Sequence, residues 1–110
     1  MKTLQNNFTT PEQSKRLLEL GVPRWSADEY RDKKGYRHPL ERILDVELFF
    51  QNFPDDLPCW SVGRLIEIRD ICAKYYITHA DFKGNYMENI IMSFYAIHAT
   101  NGFDFSKLEG

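Results

Sequence analysis

The sequence predicts a single small α+β domain, and three features predict it. Capped, helix-periodic segments begin at Ser61 and Asn85, a stretch near residues 43 to 50 alternates apolar with polar side chains, and no linker or repeat divides the 110 residues. A chain of this length buries roughly two thirds of the surface that its unfolded form exposes, enough for one core. If residues 39 to 52 are helical instead, the alternative is an all-α domain.

The first helix is predicted at Thr10-Pro11-Glu12-Gln13. Thr10 caps it, Pro11 suits the first helical position, and Gln13 closes a capping box. Leu17, Leu18 and Leu20 supply its apolar edge, and Gly21 ends it. Ser26-Ala27-Asp28-Glu29 repeats the capping logic and predicts a brief helical turn, which Gly35 keeps short. The stretch RDKKGYRHP, residues 31 to 39, is polar and turn-rich and predicts an exposed loop running into Pro39.

The stretch LERILDVELFFQNFP admits two periods. At period 2, Leu44, Val46, Leu48 and Phe50 share a side; at 3.6, Leu40, Ile43, Leu44 and Phe50 do. A strand over 43 to 50 is the predicted form. Ser61 then caps a central helix whose Val62, Leu65, Ile66, Ile68, Cys72, Tyr75 and Tyr76 form one wide apolar face. A short strand is expected near 75 to 79, where β-branched and aromatic residues gather. Asn85 caps the last helix, with Met87, Ile90, Ile91, Phe94, Ile97 and His98 at helical spacing and Asn101-Gly102 as its stop. Phe103 and Phe105 are placed to fold back onto the core. The expected architecture sets the two long helices on a small sheet, with the Pro11 helix closing one edge.

With 43% hydrophobic, 15% aromatic and 27% charged residues, the composition is that of a folded domain. Its longest apolar runs fall far below the stretch of about 20 residues that spans a bilayer, and the N-terminus lacks the apolar segment of a secretory signal. A cytoplasmic location is therefore expected. In that compartment Cys59 and Cys72 are expected to be separate buried thiols. The net charge of −2 is unevenly spread. Residues 1 to 42 carry nine Lys/Arg against six Asp/Glu, and residues 43 to 110 carry five against ten. Such asymmetry marks either a partner surface or two halves that pair with each other.

Chemistry is sparse. Cys59 precedes a helix N-terminus, where a thiol can be activated, but no histidine lies near it in sequence to act as base. Cys59, Cys72, His79 and His98 are acceptable metal ligands without the paired spacing of a tetrahedral site. His98, on the apolar stripe, reads as a hydrogen-bonded core histidine. Asp55-Asp56 has no opposed carboxylate pair, and no phosphate-binding glycine motif occurs. Trp60 is placed to pack as a hydrophobic staple toward Leu65, which makes Ser61 a cap and not a nucleophile. No catalytic residue, metal or cofactor is expected, and the reading is non-enzymatic.

What remains is a surface. Residues 30 to 38 interleave five basic or potentially basic side chains with Tyr30 and Tyr36. Tyr30, Lys33, Lys34, Tyr36 and Arg37, together with Arg64 on the central helix, are the candidate interaction surface. A protein partner is expected. Nucleic acid is the alternative, disfavoured by a pI of 5.9 where such domains run above ~9.

Three blocks, FTTPEQSKRLLELGVP at 8 to 23, PCWSVGRLIEI at 58 to 68 and DFSKLE at 104 to 109, resemble a group of small uncharacterised proteins from gut anaerobes, often encoded near phage or mobile-element genes. The resemblance implies an α+β domain with a central helix after the tryptophan, and it supplies no catalytic residues. The chain departs from that pattern at the basic loop with its LERILDVELFF extension and in the short span between the last two helices.

Overall fold

A computed structural model describes residues 8–74 and 86–108. Within them the chain runs α1 (Pro11–Glu19), a 3-10 turn (Arg24–Ser26), β1 (Glu29–Arg31), β2 (Arg37–Pro39), a second 3-10 turn (Leu40–Arg42), α2 (Val46–Asn52), β3 (Leu57–Cys59), α3 (Val62–Cys72), α4 (Tyr86–Ala99) and a third 3-10 turn (Phe105–Lys107). The strands make one antiparallel sheet in the order β2-β1-β3. The molecule is thus one small α+β domain. The strand expected at 75 to 79, with His79, and the Asn85 cap lie outside the described residues.

The capped helices form as their sequences dictate. Thr10 and Gln13 close a full capping box on α1, satisfying amides that the first turn would otherwise leave without acceptors. Ser61 caps α3 by accepting from the amide of Arg64. At the far end of α4, Asn101 takes a left-handed conformation, φ 54°, and the Gly102 amide donates to the Ile97 carbonyl at 2.8 Å. The chain then turns back. Phe103 bridges Ala73, and its ring lies 5.0 Å from Phe94 and 4.9 Å from Phe105.

Elsewhere four expectations are corrected. Residues 43 to 50 are not a strand: Asp45 accepts from the Leu48 amide and caps α2, so Phe50 reaches the core while Leu44 and Leu48 face out. A strand would have buried all three on one side. The segment 30 to 38 is not an irregular loop but a β-hairpin, with Tyr30 opposite His38 and Arg31 opposite Arg37. The turn expected after Ser26 occurs before it. Pro23 sets the dihedral that starts a 3-10 turn ending at Ser26, and Glu29 belongs to β1. His98 is exposed, because Ile97 takes the buried place at the end of the stripe.

The packing order also differs. The first helix lies against β3, whereas α3 and α4 pack on each other. Leu17, Trp60, Leu65, Ile68, Ile91 and Phe94 are completely buried in the core, each such side chain contributing about 1.5–3 kcal/mol. Gln13 and Arg16 of α1 both bind the Glu88 carboxylate of α4, at 2.8 and 2.9 Å, and hold that carboxyl below its ordinary pKa.

At the centre of the core sits Trp60. Its indole N–H donates to Ser26 Oγ at 3.0 Å, its amide to Thr9 Oγ1 at 3.0 Å, and its carbonyl accepts from the Thr9 amide at 2.9 Å. The Ser26 hydroxyl proton goes to the Pro23 carbonyl at 2.6 Å. Replacing Ser26 with alanine leaves the buried indole N–H without an acceptor, a loss of roughly 1–3 kcal/mol. Urea denaturation of Ser26→Ala is expected to reveal that loss; a midpoint unchanged from wild type would reject it.

Candidate functional site

The hairpin tip is built by Asp32. Its Oδ1 accepts from the amides of Lys34 and Tyr36 at 2.9 and 3.0 Å, and its amide donates to the Tyr36 carbonyl at 2.9 Å. Gly35 sits at φ +94° with open space around it, the left-handed position that a type I turn followed by a bulge assigns to glycine. The other carboxylate oxygen of Asp32 lies 2.9 Å from His38 Nε2. The tip is therefore ordered by its own side chain, and Lys33 and Lys34 are both exposed.

Aromatic rings carry the hairpin onto α2. His38 stacks on Tyr30, the centroids 5.0 Å apart. Tyr30 contacts Phe49 at 4.7 Å, and Phe49 contacts Phe53 at 5.0 Å. The ladder starts half-buried under the hairpin and ends at Phe53, 53% exposed. There Lys33, Asn52, Phe53, Pro54, Asp55 and Asp56 line a hollow of about 290 Å³. One helical turn before Asn52 stands Leu48, 52% exposed, and Leu44, just ahead of the Asp45 cap, is fully exposed. A leucine preceding the cap commonly folds back onto the first turn; this one does not. Tyr36 is 67% exposed.

The charges of this face are split. Burial, with Asp32 and Asp55 close by, pushes the Asp56 carboxyl up, partly offset by the Lys33 amide. Hydrogen bonding to His38 first, then the two tip amides, holds Asp32 down. Burial and the two carboxylates raise the Tyr30 hydroxyl.

Of the residues singled out from sequence, Tyr30, Lys33, Lys34, Tyr36 and Arg37 do share the hairpin. Tyr30 acts as a rung of the ladder and not as an exposed platform. Arg37 is engaged, its guanidinium over the Phe8 ring at 4.2 Å and 3.4 Å from Glu29. Arg64 stands at the other end of β1, donating through Nε to the Ser26 carbonyl at 2.7 Å and pairing with Glu67. Leu44, Leu48 and Phe53 were missed because a strand reading placed the two leucines in the core.

The thiols lie elsewhere. Cys59 and Cys72 are free and fully buried, and burial pushes the Cys59 thiol up to about 12, the reverse of an activated nucleophile. Burial raises Cys72 as well. Among the described residues no three His, Cys, Asp or Glu side chains converge as metal ligands, and no helix is long and apolar enough to cross a membrane. No family model matches the chain, and no curated protein or solved structure matches it.

Two outcomes are expected. In a pH titration followed by carboxyl carbon NMR, Asp32 titrates below the ordinary aspartate value of about 3.9 and Asp56 above it. The signs follow from linkage: the Asp32 contribution is present above that value and fades as pH falls through the depressed pKa. Asp56 favours folding most below its ordinary value, and that contribution is lost as pH rises through its elevated one. Coincident titration would refute the assignment. Second, a thiol reagent at pH 8 should label neither cysteine until the protein unfolds; rapid labelling of native Cys59 would contradict its burial.

Proposed function

We propose that this domain is a non-enzymatic accessory protein that binds another protein through the face made by the hairpin tip and α2. The observation that carries the reading is Phe53, an exposed ring at the end of the aromatic ladder, in one hollow with the exposed cation Lys33, on a hairpin and helix that also expose Tyr36 and Leu48. Scattered apolar residues on a surface are ordinary, but an exposed ring continuous with the core through an aromatic ladder and flanked by charge has the composition of an interface centre. Aliphatic side chains favour a protein partner, since a nucleic acid engages rings and cations. Asp55 and Asp56, lining the same hollow as Lys33, repel a phosphate backbone. The cytoplasm is the proposed location, and the resemblance of the three sequence blocks supports a phage or mobile-element setting.

The test is capture from a host-like lysate with tagged wild-type domain and with Leu48→Ala/Phe53→Ala, each with and without nuclease. A stoichiometric protein that survives nuclease and is retained at least about tenfold less by the double variant supports the reading, since truncating interface anchors costs 1 kcal/mol or more each. Capture insensitive to the double variant rejects this face. Nucleic acid recovered in place of protein, with binding that weakens steeply as salt rises and is lost in a Lys33/Lys34/Arg37 variant, would replace protein binding with nucleic-acid association.

A further inference from the structure

Between α3 and α4, away from the hairpin, lies a polar cluster that the protein-binding reading does not use. Arg69 of α3 is only 7% exposed. Its one side-chain hydrogen bond among the described residues runs from Nη1 to Ser93 Oγ at 2.8 Å. The Ser93 hydroxyl in turn donates to the Ile90 carbonyl at 2.6 Å, so the serine offers the guanidinium a lone pair and no charge. Among the described residues Arg69 Nε is buried without an acceptor. So is Asn89 Nδ2, which stands one helical turn before Ser93 and so on the same face of α4.

This arrangement is unusual in two ways. A buried arginine is ordinarily matched by a carboxylate, and Arg69 forms no ion pair with one among the described residues; Asp70, its neighbour in sequence, acts on it only electrostatically. Buried N–H donors are also ordinarily satisfied, yet among the described residues Arg69 Nε and Asn89 Nδ2 both go without acceptors, Asn89 standing one helical turn from the serine that Arg69 binds. With Nη1 taken by Ser93, the guanidinium keeps its Nε edge, the side-on fork that binds the two oxygens of a carboxylate or phosphate. Both deficits, of negative charge and of acceptor atoms, have the same remedy. Desolvation disfavours the Arg69 charge, and a bound anion would offset that effect.

We propose that Arg69 and Asn89 form a binding site for a compact oxyanion, a carboxylate or phosphate group whose oxygens accept from Arg69 Nε and Asn89 Nδ2. Ser93 is a positioning residue that holds the guanidinium through Nη1. The site is distinct from the hairpin face and does not depend on what that face binds.

The experiment uses the whole chain at pH 7. Thermal unfolding and titration calorimetry are run with sodium phosphate, sodium acetate and, at matched ionic strength, sodium chloride. A ligand that binds only the folded state raises Tm in a saturable manner, so phosphate or acetate is expected to raise Tm above chloride and to bind with a stoichiometry near one. Preference for phosphate identifies a phosphate-bearing ligand, and preference for acetate a carboxylate. Asn89→Ala is expected to weaken the response about tenfold, the equivalent of one lost charge-assisted hydrogen bond. Arg69→Met should abolish it. Because removing Arg69 can unfold the chain, the Arg69 Nε–H resonance in nitrogen-edited NMR of the wild-type protein provides the second measure, and it should shift with anion at the same midpoint. An effect no larger than that of chloride, or one unaltered in Asn89→Ala with the Nε–H resonance unmoved, would overturn the proposal.

Discussion

The burial of Trp60 and its three hydrogen bonds is the constraint on which the rest of the structure depends. One residue joins the segment at Thr9, the 3-10 turn at Ser26 and the entry to α3. Each bond alone is modest, about 1 kcal/mol net. Their force is geometric, because an indole with no exposed surface tolerates no other arrangement of the groups around it. Thr9 also shares a hydrogen bond with Ser14 at 2.8 Å, which extends the network into α1. Asp28 completes it by accepting from both the amide and the hydroxyl of Ser61, at 2.9 and 2.5 Å. The polar atoms of this centre are thus satisfied as it is sealed from water, the condition under which a buried polar network stabilises a fold.

From that centre the sheet and its hairpin project outward. Their register follows from a hydrophobic face on one side and a tight turn at the end. The hairpin would be weak alone, since two short strands are marginal in water; β3 and the rings of Phe49 and Phe50 support it. The exposure of Leu48 in α2 is then a consequence of how that helix is anchored. Arg24 pairs with Glu47 at 2.7 Å, and Phe50 enters the core, so the edge of the seven-residue helix that carries Leu48 faces away from the core.

The two polar regions of the molecule contrast in design. Around Trp60 each hydrogen-bonding side chain named above has a partner within the chain. Around Arg69 two donors have none among the described residues. The first arrangement serves folding, and the second is the pattern of a site that an exogenous acceptor completes.

Local signals in the sequence were enough for α1, α3 and the end of α4. Thr10, Gln13, Ser61 and Asn101-Gly102 act within five residues of their own positions, and capping chemistry is local. Trp60 is buried, and Phe103 and Phe105 return to the core, as their places in the sequence suggest, but the groups that hold Trp60, Thr9 and Ser26, are distant in sequence. The hairpin was legible in principle, because Asp32 and Gly35 stand at the turn positions that a bulged hairpin requires, but its strands are only three residues long and too short for alternation to emerge. Residues 43 to 50 fitted both periods, and the choice went to the helix through the Asp45 cap and the place that the core offered Phe50. The interaction face and the Arg69 cluster depend on segments distant in sequence, Lys33 with Phe53 and Arg69 with Ser93. Composition and spacing carry no record of which distant residues meet, since that is set by how helices and strands share one core.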